Sequence, residues 1–145
     1  MMEQAILLDT NVLSELMRPQ PDAQILSWFD LNTEAGYYTS AVTQAEILLG
    51  ISLLPAGKRQ TRLAEAAAEM FSDEFSGCCL PFDENSAGIY AELVAARTRA
   101  GQPISSEDAQ IAAITLSNHL CLATRNMKDF TGIAELILVN PWKVP

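Results

Sequence analysis

A single histidine stands in 145 residues. His119 has no acid or second base near it in the sequence, which argues against histidine-based acid–base chemistry. A lone histidine just past an apolar helix is accounted for by the favourable field at a helix C-terminus. Cysteine is nearly as scarce. There are three, an odd number, two of them adjacent as Cys78 and Cys79, with no C-x-x-C pair. Neither a disulfide framework nor a zinc site is expected, and the three are expected as buried thiols in a reducing cytoplasm. No apolar run approaches the roughly 20 residues that a membrane helix needs. The short apolar run near the N-terminus follows an acid rather than a basic segment, unlike a secretory signal. Basic residues are also few, nine against eighteen acids, for a formal charge of -9. That argues against broad, charge-driven nucleic-acid binding and favours a cationic partner. A metal-dependent nuclease escapes the exclusion, because bound dications reverse the local field where substrate docks.

With 49% hydrophobic and 19% charged residues, the composition is that of a packed globule, and the length suits one domain over residues 1–145. No internal repeat, low-complexity tract or linker interrupts it. Short apolar runs alternate with helical patterns, as in βαβ units. Strands are expected at Ile6–Leu8, Tyr37–Thr39, Cys78–Leu80, Leu120–Ala123 and Leu136–Val139. Helices are expected at Asn11–Met17, Asp22–Asp30, Thr43–Leu53, Arg59–Phe75, Asn85–Ala100 and Ser106–Ser117. Leu63, Ala67, Met70 and Phe71 form the stripe of a helix packed on a core. The predicted fold is a three-layer α/β/α domain with a central, mainly parallel sheet of about five strands. In such sheets ligands bind outside the carboxyl ends of the strands.

Asp9 falls at such an end, in ILLDTN, and is also placed to cap the helix that follows. Glu46 is the only charge in AVTQAEILLGISLL, a helix expected to be buried on most sides. Burying an unpaired carboxylate costs several kcal/mol, so Glu46 is either a functional acid or the far end of a Thr43-x-x-Glu46 capping box. Gly50, one turn on, leaves open space above it. Asp108, in PISSEDAQIAAI, has the same two readings through Ser105-x-x-Asp108, and Glu107 is its rival. The stretch ATRNMKDF offers Thr124, Asn126 and Asp129 as oxygen ligands and Arg125 and Lys128 as phosphate contacts, or is a polar loop after a strand. Lys58, Arg59 and Arg62 read as a solvated helix face, with guidance of RNA as the alternative. Taken together, acids gathered at one sheet rim call for a cation, and hard oxygen donors suit Mg²⁺ or Mn²⁺.

Four segments in order, LLDTNVLSEL, SAVTQAEILLGI, ISSEDAQIAAI and LATRNMKDF, resemble the acidic motifs of PIN-domain ribonucleases. The likeness is nearest to VapC toxins of the FitB-like or plasmid-stability branch, whose chains also finish with an Asn-Pro-Trp such as Asn140-Pro141-Trp142. It runs from about Ile6 to Trp142. The resemblance implies that Asp9, Glu46 and Asp108 hold Mg²⁺ or Mn²⁺, with Thr10, Asn11 and Thr124 bracing ligands or water. The family's fourth acid matches Asn126, so one anionic ligand is missing unless Asp129 substitutes. The implied activity is hydrolysis of RNA phosphodiesters, with transfer RNA among the substrates considered. The implied partners are a second copy of the chain and a VapB-like antitoxin with a DNA-binding N-terminal part. Two further readings stand beside it. One is a subunit acting mainly in transcriptional autoregulation with little nuclease activity. The other, weaker reading is an aspartyl-phosphate phosphatase, which would want an acid where Asn11 stands.

Overall fold

The computed structural model describes residues 4–143; 1–3 and 144–145 lie outside it. Five strands, β1 (Ala5–Leu8), β2 (Gly36–Ser40), β3 (Cys79–Leu80), β4 (Cys121–Ala123) and β5 (Leu138–Val139), form one all-parallel sheet in the order β3-β2-β1-β4-β5. Each expected strand is present, shifted by no more than two residues at either end. Central β1 pairs with β2 (Ile6 opposite Tyr37) and with β4 (Ile6 opposite Cys121). Because successive strand residues face opposite ways, Ile6 and Leu8 enter one core with Trp28, Ile47, Ile51 and Met70. Leu7 enters the other with Leu93, Ile111, Ile114 and Phe130. Both faces are covered, which is why β1, β3, β4 and β5 are apolar, while β2 ends on the buried polar pair Thr39 and Ser40.

Helices α1 (Thr10–Leu16), α2 (Ala23–Leu31), α3 (Ala41–Ser52) and α4 (Lys58–Glu69) precede β3. Helices α5 (Glu84–Arg99) and α6 (Ser106–Ser117) lie between β3 and β4, and α7 (Met127–Phe130) follows β4. Four expectations are corrected. The helix expected over Arg59–Phe75 changes at Met70 into a π-helical turn, Met70–Glu74, whose extra residue per turn keeps Met70 and Phe75 both buried. The polar loop expected after β4 contains α7, anchored by Phe130, which is buried in the second core. Helix α3 is not buried on most sides: Leu49 and Leu53 are 60% and 76% exposed. The cysteines are only half-buried, and all three are free. His119 lies just past the end of α6 in the left-handed conformation at φ 56°, its amide donating to the Leu116 carbonyl. It stands at the helix C-terminus, as its place in the sequence suggested, and its left-handed backbone ends the helix.

Candidate functional site

Strand β1 delivers Asp9 to the sheet rim, and the Asp9 amide still donates to the Ala123 carbonyl of β4 at 3.0 Å. The carboxylate has two engagements at once. Its Oδ1 accepts from the Thr10 amide at 2.8 Å and so caps α1. Its Oδ2 accepts from the Thr124 hydroxyl at 2.8 Å and from Asn11 Nδ2 at 3.3 Å. Capping and a role at the rim are therefore not alternatives. Thr124, fully buried at the end of β4, also accepts from the Asn126 amide at 3.1 Å, and Asn11 Oδ1 accepts from the Arg125 amide at 3.2 Å. These bonds lock the β4–α7 turn onto the start of α1.

Glu46 arrives from α3. That helix is capped by Ser40, whose hydroxyl accepts from the Thr43 amide at 3.0 Å. The expected Thr43-x-x-Glu46 box is thereby corrected: Thr43 already sits in the first turn, and Glu46 is too far into the helix to reach the cap. Its carboxylate instead accepts from the Thr10 hydroxyl at 2.7 Å, which is also 3.0 Å from the Thr43 hydroxyl. Asp108 arrives from α6, where the Ser105 hydroxyl accepts from the Asp108 amide at 3.1 Å. Glu107 points to solvent, whereas Asp108 is half-buried and lines the cleft.

Asp9, Glu46, Asp108 and Asn126 share one cleft of about 430 Å³ with Thr10, Asn11 and Arg125. Two expected residues stand apart. Asp129 does not line this cleft, although its charge reaches Asp108. Lys128 opens onto an adjoining cleft. The cleft also contains Ser14, Glu15, Arg18 and Trp142, to which sequence reasoning gave no site role. Asn11, Ser14, Glu15 and Arg18 are spaced three, four and seven apart, which sets them on one face of α1 and was a visible signal. Glu15 is buried, accepts from the Asp22 amide at 2.9 Å and pairs with Arg18 at 3.2 Å. That is the sole ion pair among the described residues, so Asp9, Glu46 and Asp108 have no cationic partner there.

Unpaired acids at short range raise one another's proton affinity. Asp9, 3% exposed, is pushed from 3.8 up to about 6. Burial is the main cause and the charges of Asp108 and Glu46 add to it, against the bonds from Thr124 and Thr10. Asp108 is raised as well, first by burial and then by Asp129, Glu46 and Glu107, with its Ser105 bond opposing. A carboxyl whose folded value lies above its unfolded value holds its proton more tightly in the folded state. Its stabilising contribution is complete below about 3.8 and is lost as pH rises through about 6. Metal-free protein is thus expected to melt at a higher temperature at pH 5 than at pH 7.5, by a few degrees. The same comparison in Asp9→Asn should show a smaller gap, and an equal gap would remove Asp9 as its source.

The donor set fits a hard dication: carboxylates, an amide oxygen and hydroxyls, with no nitrogen or sulfur pair. As placed, no three Asp, Glu, His or Cys side chains among the described residues are close enough to surround one ion. Binding would draw in carboxylates that repel each other without it.

A family model for the PIN domain matches residues 6–136. The chain belongs to the PIN domain family. Among curated PIN relatives, it is 42% identical over 138 residues to the plasmid stability protein StbB of Pseudomonas syringae pv. tomato, covering 95% of this chain and 99% of that one. It is 37% identical over 138 residues to the VapC ribonuclease Y4jK of Sinorhizobium fredii, covering 95% and 98%. Among solved structures, FitAB bound to an IR36 DNA fragment contains a PIN-fold chain that superposes with a TM-score of 0.87 at 38% identity, covering 97% of each chain. The three-layer PIN architecture and the plasmid-stability branch suggested by the motifs both agree with these likenesses.

Proposed function

We propose that this PIN domain, spanning the single domain 1–145, is the toxin of a VapBC-type toxin–antitoxin pair and hydrolyses RNA phosphodiester bonds with Mg²⁺ or Mn²⁺. The observation that carries the proposal is the convergence of Asp9, Glu46, Asp108 and Asn126 from four separate segments on one cleft, with Asp9 pushed up to about 6 by burial and by like charge. Such a cleft repels a phosphodiester until a cation is held there. Asp9, Glu46 and Asp108 would hold the ion, with the Asn126 amide oxygen as a neutral donor. When bound, the ion polarises a phosphoryl oxygen and lowers the pKa of the attacking water. The chain's own residues do the rest. Thr124, Thr10 and Asn11 fix the Asp9 carboxylate. Asp108 or Glu46 accepts the water's proton. Arg125, at the cleft mouth, faces the phosphate.

The relatives' names and the DNA-bound FitAB complex support a partner antitoxin with a DNA-binding N-terminal part. An Arg or Lys from that partner would enter the acidic cleft through charge-assisted hydrogen bonds. Homodimers are proposed as well, and the exposed Leu49 of α3 and Leu53 just past its end are apolar surface for a partner to cover. Three free cysteines, and no helix among the described residues long and apolar enough to cross a membrane, agree with a cytoplasmic protein. Antitoxin-free protein should cleave RNA with Mn²⁺ and stop on addition of EDTA; undiminished cleavage in EDTA rejects the metal-dependent reading. Asn126, neutral where the family's motif carries an acid, favours the second reading: a subunit that tightens its partner's grip on operator DNA with little nuclease activity. Absence of cleavage together with tighter operator binding would select it.

A further inference from the structure

Trp142 lines two clefts, the acidic one with Asp9 and Asp108 and a second one with Lys128 and Lys143; Arg125 and Asn126 also border both. Three of the chain's nine basic residues thus surround a cleft to which no described carboxylate contributes, in a protein of charge -9. The Arg125 guanidinium lies 5.1 Å from the centre of the Trp142 ring. The ring is held in place. β5 brings the chain to the same rim as β4, and the Thr124 amide donates to the Val139 carbonyl at 2.9 Å. Asn140 then turns the chain: its side-chain oxygen accepts from the Trp142 amide at 2.9 Å and its carbonyl from the Lys143 amide at 3.1 Å. The indole is half-buried against the first core, with part of its surface open.

A fixed aromatic surface ringed by cations is the chemistry that binds single-stranded nucleic acid, bases stacking on the ring and phosphates meeting the basic groups. We propose that the Trp142 cleft is a nucleotide subsite for single-stranded RNA beside the acidic cleft. A base next to the scissile phosphate stacks on Trp142, and the following backbone lies along Arg125, Lys128 and Lys143. The proposal rests on the ribonuclease reading for its choice of RNA, but its test does not need cleavage.

The probe is a mixed-sequence oligoribonucleotide of eight residues, added in EDTA so that metal-dependent cleavage does not occur, and at low salt. There the basic cleft can hold phosphates although the metal-free acidic cleft repels them, and no binding under those conditions overturns the subsite. The protein has two tryptophans, and Trp28 is buried in the core, so quenching by the probe reports Trp142. Trp142→Leu should lose the quench and weaken binding, followed by anisotropy of a labelled probe, about tenfold or more. Trp142→Phe should keep most of the affinity. Lys128→Ala and Lys143→Ala, on exposed side chains, should each lower the salt dependence of binding by close to one phosphate contact. Probe binding that leaves Trp142 emission and the salt slopes of both lysine variants unchanged overturns the subsite. Cleavage by Trp142→Leu with unaltered KM also overturns it, while the ribonuclease reading stands. Quenching in a protein that never cleaves RNA upholds the subsite and rejects the ribonuclease reading.

Discussion

Asp9→Asn is expected to abolish RNA cleavage and to raise, not lower, the melting temperature of metal-free protein at pH 7.5. The two halves have one cause. The amide oxygen keeps the bond from the Thr10 amide that caps α1, while the new NH₂ faces a Thr124 oxygen that already accepts from the Asn126 amide and from Asn11 Nδ2. What disappears is a buried charge whose ionised form the fold disfavours, since Asp9 sits at about 6 in place of 3.8. At 1.36 kcal/mol per pKa unit, its removal gives back at most about 3 kcal/mol. Part of that is spent on the bond from the Thr124 hydroxyl, which loses its acceptor, whereas Asn11 Nδ2 keeps the Thr124 oxygen. Function moves the other way. Loss of a group merely behind a metal ligand costs 10–100-fold, so loss of Asp9, the proposed central ligand, should cost at least about 100-fold in cleavage rate. Thermal melts and gel-resolved RNA cleavage on one preparation test both halves. A variant that melts lower and cleaves normally would show that Asp9 is a helix cap and nothing more.

Arg97→Ala should produce the largest loss of stability, about 3 kcal/mol, or roughly 6–12 °C in melting temperature. Arg97 is 8% exposed and faces no carboxylate partner. Its guanidinium donates to three backbone carbonyls: Gln102 at 3.0 Å, Thr131 at 2.6 Å and Asp129 at 3.0 Å. It therefore ties the end of α5 to the turn before α6 and to α7. Each bond is charge-assisted, and truncation leaves all three carbonyls without a donor. Because Asn126 immediately precedes α7, cleavage should fall too, even well below the melting point. Lysine offers a point charge in place of a planar fork, so Arg97→Lys should recover less than half of the loss. A lysine variant that melts like the parent would show that the three-way clasp carries little stability.

The fold was legible because sheet burial is written in most of the strands. Ile6, Leu7 and Leu8 admit no solvent face, and Pro81 and Pro141 stand just past β3 and β5. The cleft was legible where an acid interrupts an apolar pattern, as Asp9 does after Leu8 and Asp108 does before Ala109. Glu46 was found for a partly wrong reason. Its helix is apolar all round, yet Leu49 and Leu53 face outward, and apolarity alone does not say whether the covering surface is the same chain or another. The box proposed for Thr43 failed because Ser40, three residues earlier, is the better-placed cap. Arg59 and Arg62, read as a solvated face, are exposed but border an apolar groove with Glu46, Ile51 and Leu63. Nothing local in KRQTRL distinguishes the two environments. Trp142 and Arg97 were missed because their partners are set by tertiary placement: Trp142 meets Arg125 only through β4 and β5, and Arg97 bonds carbonyls, which any residue supplies.

The bond between Thr124 and Asp9 spans 115 positions, and β1 pairs with β4 at a similar remove. Such closure is slow, because chain entropy is lost before the contact rewards it. On the ribosome it cannot begin until residue 124 has been made. A growing chain carries Asp9 for most of its synthesis without the Thr124 brace that aims it, so on the proposed ribonuclease reading it emerges inert and becomes active only near completion. A partner made beforehand has that interval in which to be waiting.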